Sequence, residues 1–349
     1  MHADGSLAAA FVNAGGDTTD LVIWKTGDGA QESTNSLEVY QLQLDQPPRQ
    51  LGYAVLPGST GPTLQPTVLT GDVDPSSPGS EIVVVGGDST GRSARVCVFG
   101  GMSEGDIHLL SDFYMPRRAV GNEPSAPTIG DVVAATRHAG SEIVMGGQRG
   151  RVYAVGLDHG RAILLNVLRA FPDRPVASAR KLAVGDLIPD NPGDEIVVAD
   201  DGTVGDGLVR IFDSRTQRAL AEFPAFPPGA APAGVELWVG DVMTAFPGAE
   251  LIVGEGPAGG RLSVFTLASG APTHVLDVPD SLNRSTTLHG HLAIGNLLPE
   301  LEGNEIALAQ GDSRIPVQVF NLDADRNQPS AAVQPPADVE TVTAIATTY

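Results

Sequence analysis

The sequence predicts an all-β fold, a β-propeller of four-stranded antiparallel blades, and three observations carry that expectation. A Gly-Asp or Gly-Asn pair recurs at Gly71, Gly130, Gly185, Gly240 and Gly295, with spacings of 59, 55, 55 and 55 residues. Short segments of period-two alternation fill the intervals, four to a repeat, and helical periodicity of any length is absent. Composition agrees, because 42 glycines and 27 prolines in 349 residues describe a chain that reverses direction often.

Within each repeat the first strand ends on the Gly-Asp pair, as in KLAVGD, which closes on Gly185 and Asp186. A polar turn follows, and an acidic residue then opens an aliphatic second strand: Glu81, Glu142, Glu195, Glu250 and Glu305. A degenerate first copy, AFVNAGGDTTDLVIW, puts Asp20 in that role, 61 residues before Glu81. The third strand recurs as LEVY, VCVF, VYAV, VRIF, LSVF and VQVF. Its second position is Glu38, Cys97, Tyr153, Arg210, Ser263 or Gln318 between apolar neighbours. RALAEFPAF shows the fourth strand in the fourth copy. One such sheet cannot bury enough apolar surface alone, so the copies must pack on each other as a single domain over residues 1–349. The repeat units read as 6–60, 61–120, 121–177, 178–231, 232–287 and 288–336. Residues 337–349, with ETVTAIATTY, read as a closing strand or a truncated blade; six blades are expected, with seven as the alternative.

Lys and Arg total 21 against 42 Asp and Glu, and a formal net charge of −21 repels phosphate backbones, so no nucleic-acid partner is expected. A lone cysteine, Cys97, leaves no disulfide within the chain. No apolar stretch approaches the roughly 18 residues of a membrane span, so membrane insertion is not expected. MHADGSLAAAFV lacks the basic start and apolar core of a signal peptide, and the nearness of the first repeat to Met1 raises the question of an upstream segment in a longer protein.

The run V-x-x-GD, a polar loop, G-x-E-I-V-V and later V-x-V-F-D resembles the FG-GAP or VCBS repeat of integrin α-chain propellers and of many bacterial secreted and surface proteins. The resemblance covers essentially the whole chain. It implies an extracellular or cell-surface setting and a D-x-D-x-D-G-x-x-D calcium loop between the first two strands. Calcium takes about six to eight oxygens, so several carboxylates must converge in a tight turn. The candidate ligands here are Asp72, Asp74, Ser76 and Glu81 in GDVDPSSPGSE, and Asp186, Asp190 and Glu195 in GDLIPDNPGDE. Both loops depart from the family pattern: the first is one residue longer, and in the second Ile188 stands where a ligand belongs. Met243 and Ala245, and Val133 and Ala135, thin out two further copies. A second reading needs no metal: the carboxylates accept backbone N–H groups of the turn, and the glycine two before the Glu supplies a permissive backbone angle.

Other chemistry is sparse. His2, His108, His138, His159, His274, His289 and His291 are scattered; His289 and His291 share one side of a strand, but a zinc site needs about three or four ligands. Lys181, Glu236 and His291 hold the position four before the glycine, with Thr67 and Ala126 in other copies, and this set could converge on a central channel. That suggests an alternative function as a carbohydrate-active lyase or hydrolase. Trp238 reads as blade packing or as a sugar-stacking residue of a propeller lectin. Cys97, aligned with Glu38, Arg210 and Ser263, reads as an inert thiol off the core. The loops after the second strands differ most between copies: KTGDGAQESTNS, GDSTGRSAR, QRGR, DDGTVGDG and QGDSRIP. Variable loops on a rigid scaffold carry binding residues, so the expected function is a monomeric, non-enzymatic interaction module for a protein or glycan partner.

Overall fold

The computed structural model describes residues 7–12, 20–25, 35–41, 49–56, 64–87, 94–101, 106–115, 127–173, 181–199, 207–227, 234–255, 261–278, 292–295, 301, 303–308, 317–323 and 330–333. Every described strand belongs to a four-stranded antiparallel sheet whose strands pair in chain order. The N-terminal sheet holds β1 (Leu7–Val12), β2 (Asp20–Lys25), β3 (Asn35–Gln41) and β4 (Arg49–Leu56). The second holds β5 (Leu64–Gly71), β6 (Glu81–Gly87), β7 (Ala94–Gly100) and β8 (His108–Met115). The third holds β9 (Thr128–Gly130), β10 (Glu142–Gly146), β11 (Arg151–Asp158) and β12 (Arg161–Arg169). The fourth holds β13 (Lys181–Gly185), β14 (Glu195–Ala199), β15 (Leu208–Asp213) and β16 (Ala219–Pro224). The fifth holds β17 (Val235–Gly240), β18 (Glu250–Glu255), β19 (Leu262–Thr266) and β20 (Thr273–Val278). The last holds β21 (Leu292–Gly295), β22 (Glu305–Leu308), β23 (Val317–Phe320) and β24 (Ala331–Val333).

Successive sheets stand face to face, and the first strand of each lies beside the first strand of the next. This explains why the second strands read as unbroken aliphatic runs. Along β14, Ile196 and Val198 enter the core shared with the third sheet, while Val197 and Ala199 enter the core shared with the fifth. Side chains alternate, but both faces are buried, so the strand is apolar throughout. Five such cores lie between consecutive sheets.

The blade count needs correcting. Six like blades were expected, or seven, yet five sheets are built on the repeat plan. In these, the glycine pairs with the acidic residue: Gly71 with Glu81, Gly130 with Glu142, Gly185 with Glu195, Gly240 with Glu250 and Gly295 with Glu305. The fifth of them ends in an outer strand of only three residues, Ala331–Val333. The N-terminal sheet departs from the plan, because Val12 stands opposite Asp20 and no glycine ends the strand. Residues 337–349, where a seventh blade was weighed, lie outside the described residues.

The glycine matters because of what faces it. A β-carbon on Gly71 would lie 2.7 Å from Ile129 Cγ2, and on Gly130 and Gly185 it would lie closer still to Val184 and Val239. Ile129, Val184 and Val239 each precede the next glycine in the series. The bare backbone of one sheet therefore seats the aliphatic side chain of the next. Gly185→Ala is expected to cost about 1–3 kcal/mol by overpacking. Shortening the opposing side chain with Val239→Ala should relieve part of that cost, so the double variant will lose less stability than the two single losses combined; strict additivity in chemical denaturation would refute the joint.

Candidate functional site

The loop singled out by the sequence is a junction between sheets, and it has a repeated geometry. Oε2 of Glu81 accepts the N–H groups of Val73 and Asp74 at 2.9 and 3.1 Å. Glu142 does the same for Val132 and Val133, Glu195 for Leu187 and Ile188, and Glu250 for Val242 and Met243, all within 2.9–3.1 Å. These four carboxylates and Glu305 are fully buried. A second bond then crosses to the next sheet. The Asp72 carbonyl accepts Ser141 N–H at 2.6 Å, Asp131 accepts Asp194 at 2.9 Å, Asp186 accepts Ala249 at 2.8 Å and Asp241 accepts Asn304 at 3.2 Å. Each donor is the residue just before the next sheet's glutamate. The glycine two before that glutamate permits the approach, since a β-carbon on Gly140 would lie 2.7 Å from the Asp72 oxygen. Gly193 and Gly248 add a left-handed backbone, at φ of 83° and 85°.

What differs from sheet to sheet is the partner of the other carboxylate oxygen. Asn191 Nδ2 donates to Glu195 Oε1 at 2.6 Å, and Asn321 Nδ2 donates to Glu305 Oε1 at 2.8 Å. In the third sheet His138 takes this place, its Nδ1 lying 2.8 Å from Glu142 Oε1 and its Nε2 2.9 Å from the Leu157 carbonyl. Burial opposes a charge on His138, but the carbonyls of Leu157 and Gly140 and the Glu142 carboxylate outweigh it and raise the imidazole's pKa. Oxygens at both ring nitrogens call for the doubly protonated ring. Oε1 of Glu81 and Oε1 of Glu250 have no hydrogen-bond partner among the described residues. Burial, together with the charges of Asp241 and Asp323, pushes Glu250 up to about 8 against the two N–H groups that favour its ionised form.

The proposed calcium ligands sit in two of these junctions. Asp74 is buried, and its Oδ1 accepts Ser76 N–H at 3.0 Å and the Ser76 hydroxyl, while Oδ2 accepts Gly160 N–H at 2.6 Å. Burial works against its charge, but these donors hold its pKa below the ordinary value. Glu81 and Glu195 are engaged as above, and burial raises the pKa of both. Asp72, Asp186 and Asp190 are exposed. Among the described residues no group of three or more His, Cys, Asp or Glu is placed to hold a metal ion. Asp74 and the Oε2 atoms of Glu81 and Glu195 are engaged by donors of the turn, so the described residues present no preassembled cage.

Lys181 Nζ donates to Glu236 Oε1 across the neighbouring first strands β13 and β17, and His291 lies outside the described residues. Trp238 packs against the core between the fifth and last sheets, over Gly254. Cys97 is corrected from an off-core position to full burial in the core between the first two sheets, where burial pushes its thiol up to about 12 and leaves it inert. Of the variable loops, only QRGR, residues 148–151, is described; Arg149 adopts the left-handed conformation there at φ 58°. A cleft of about 310 Å³ opens between the second and third sheets, lined by Ser77, Pro78, His108, Leu110 and His159 over Asp74.

One repeated feature escaped the sequence reading. In the first five sheets the outer strand carries one extra residue against its partner: Leu51, Leu110, Leu165, Leu220 and Val275. Each lies 20 residues before the next glycine of the series, from Leu51 and Gly71 to Val275 and Gly295. Such bulges bend a strand and re-aim its side chains. Leu110 and Leu165 are turned onto Gly100 and Gly156, where an added β-carbon would lie 2.7 Å from the leucine Cδ1 in both cases.

Five sheets on a common plan, packed face to face, define the protein as an all-β propeller of four-stranded antiparallel blades. Its overall fold is similar to a chain in the crystal structure of the mitotic checkpoint complex, with a TM-score of 0.54 and 11% identity over 99% of this chain and 86% of that one. It is also similar to Chaetomium thermophilum Sqt1 bound to the N-terminus of a ribosomal protein, with a TM-score of 0.50 and 13% identity over 97% and 77%. An exotype rhamnogalacturonan lyase, YesX, aligns with a TM-score of 0.46 and 15% identity over 96% of this chain and 66% of that one. Identities this low bear on fold alone. No family model matches the chain, and no curated protein matches it either.

Two outcomes test the junction. The folded state keeps a proton on Glu250 that the unfolded chain releases above its ordinary 4.5, so stability should fall as pH rises from about 4.5 to about 8, by on the order of a few kcal/mol. Glu250→Gln is expected to flatten that fall, whereas Glu250→Ala leaves two buried N–H groups without an acceptor and costs about 2–4 kcal/mol below about pH 4.5, where the wild-type carboxyl is protonated in both states, with the cost shrinking as pH rises. A slope unchanged in the Gln variant would refute the assignment. Adding calcium after chelation is expected to leave the Tm unchanged, because a bound ion would raise it by mass action.

Proposed function

We propose that the chain is a non-enzymatic interaction module, the propeller of a secreted or cell-surface protein, binding a protein or glycan through surfaces that differ between its sheets. One observation carries this reading: what repeats is engaged in joining sheets, and what varies faces outward. The glycines, the glutamates and the carbonyl of the Gly-Asp pair are all taken up by the junctions. At one outward register of the outer strands, by contrast, successive sheets carry Tyr53, Asp112, Val167, Glu222 and Asp277. The FG-GAP or VCBS resemblance, which supplies the extracellular setting, rests on the repeated residues.

A second reading has its own observation. Lys181 and Glu236 form an ion pair on adjacent first strands, half-buried and opposite in charge, as an acid–base pair in a polysaccharide lyase or hydrolase would be. The two readings separate in one set of assays on the full chain, with arrays of glycans and extracellular proteins run beside polysaccharide depolymerisation. The interaction module predicts saturable binding that survives Lys181→Met and is lost when the exposed residues of one sheet are replaced. Depolymerisation abolished by Lys181→Met, with no saturable binding, would overturn it in favour of the enzyme.

A further inference from the structure

The third sheet is unlike its neighbours on the outside. Its outer strand β12, RAILLNVLR, is nine residues long and is the last strand of its sheet. Ile163, Leu164 and Val167 are exposed by 37%, 57% and 41%. At the register of Val167 the second, fourth and fifth sheets place carboxylates, and each is held: Asp112 by Arg95, Glu222 by Arg210 and Asp277 by the Ser263 hydroxyl. In the third sheet Val167 faces Tyr153 instead.

Charge follows the same boundary. Between residues 127 and 169 five arginines meet three carboxylates, in a chain whose formal net charge is −21. Arg161 and Arg169 stand at the two ends of β12, both exposed, and Arg137 reaches its middle, donating to the Leu165 carbonyl at 2.8 Å. Arg151 is directly opposite Arg169, and like charges paired across strands are unfavourable without an anion to share. Arg149 extends this basic end from the adjoining turn.

We propose that β12 is a docking edge for an extended acidic segment of a partner protein, which adds to the third sheet as a fifth strand. Mid-strand, Arg137 holds the Leu165 carbonyl and Asn166 Oδ1 accepts the Val167 N–H. The main-chain groups toward the two ends of β12, unpaired with another strand among the described residues, therefore supply the segment's hydrogen bonds. Leu164 and Val167 supply apolar contact, and the arginines at both ends fix an acidic occupant. The excess of negative charge elsewhere on the chain disfavours a second copy at this edge. The proposal rests on the interaction-module reading and names one partner class for it.

The test uses the full chain and a fluorescent nine-residue peptide of alternating Val and Glu, read by anisotropy at low salt. Binding is expected to exceed that of the Val/Lys counterpart by about tenfold or more, and to weaken about tenfold in the Arg161→Glu/Arg169→Glu variant with its Tm unchanged. Methylating alternate peptide nitrogens should abolish it, since a strand addition needs those N–H groups. Equal binding of the Lys peptide, an unaffected double variant, self-association through β12, or binding of anionic vesicles in place of the peptide would each overturn the proposal. If the peptide fails while array binding dependent on another sheet persists, the docking edge alone is lost and the interaction module stands.

Discussion

The distance between neighbouring sheets is set by an atom that is not there. At Gly71, Gly130 and Gly185 the backbone of one first strand carries no β-carbon, and an aliphatic side chain of the next sheet occupies that space. Interiors pack close to crystal density, so a single methyl group at such a contact cannot be absorbed without moving a sheet. The carbonyl bonds from Asp72, Asp131, Asp186 and Asp241 lie beside these contacts and require the same spacing. Apolar burial, backbone bonding and turn conformation thus depend on one separation, repeated along the chain.

The buried glutamates hold the turn that makes this approach possible. A carboxylate in a dry interior is costly unless donors surround it, and each glutamate meets two N–H groups through Oε2. The remaining oxygen meets a different environment in different sheets. Asn191 and Asn321 supply amide donors, and His138 supplies a ring nitrogen. Oε1 of Glu81 and of Glu250 meets no donor among the described residues, and burial pushes Glu250 up to about 8. One turn geometry therefore carries different electrostatics from sheet to sheet.

Much of this was legible in the sequence because the joint is made of residue types with few substitutes. Only glycine gives a strand no side chain, and the acceptor that spans the turn needs a side chain of glutamate's length, so pairs such as Gly185 and Glu195 return along the chain. The turn reading, set beside calcium, places a carboxylate acceptor at each end of the loop; the glutamates play that part, whereas Asp72, Asp131, Asp186 and Asp241 accept through their main-chain carbonyls from the next sheet. Other features were hidden. The bulge at Leu165 shifts pairing by one residue, and alternation reads the same on either side of such a slip. Cys97 aligns with Glu38, Arg210 and Ser263, which reads as an off-core position, but Arg210 extends to Glu222 and Asp173 while the shorter thiol stays buried in the core between the first two sheets. The first copy was counted as a like blade on Asp20 alone, though the glycine that defines the joint is absent at Val12.

The same chemistry argues for where function can reside in such a chain. For calcium to bind through Asp74 in the Asp72 loop, the ion would have to displace the Ser76 and Gly160 donors that hold both of its oxygens. Recruiting those oxygens trades several satisfied buried donors for one ion, and the turn that loses them also positions the Asp72 carbonyl for the next sheet. The joint and a metal cage therefore compete for the same atoms. The outward-facing positions of the outer strands carry less of this constraint, since their side chains point away from the cores that their neighbours Leu168 and Val278 enter. That freedom is why Val167 and Arg169 could depart from the acidic pattern of neighbouring sheets while Gly185, sixteen residues beyond Arg169, could not depart from glycine.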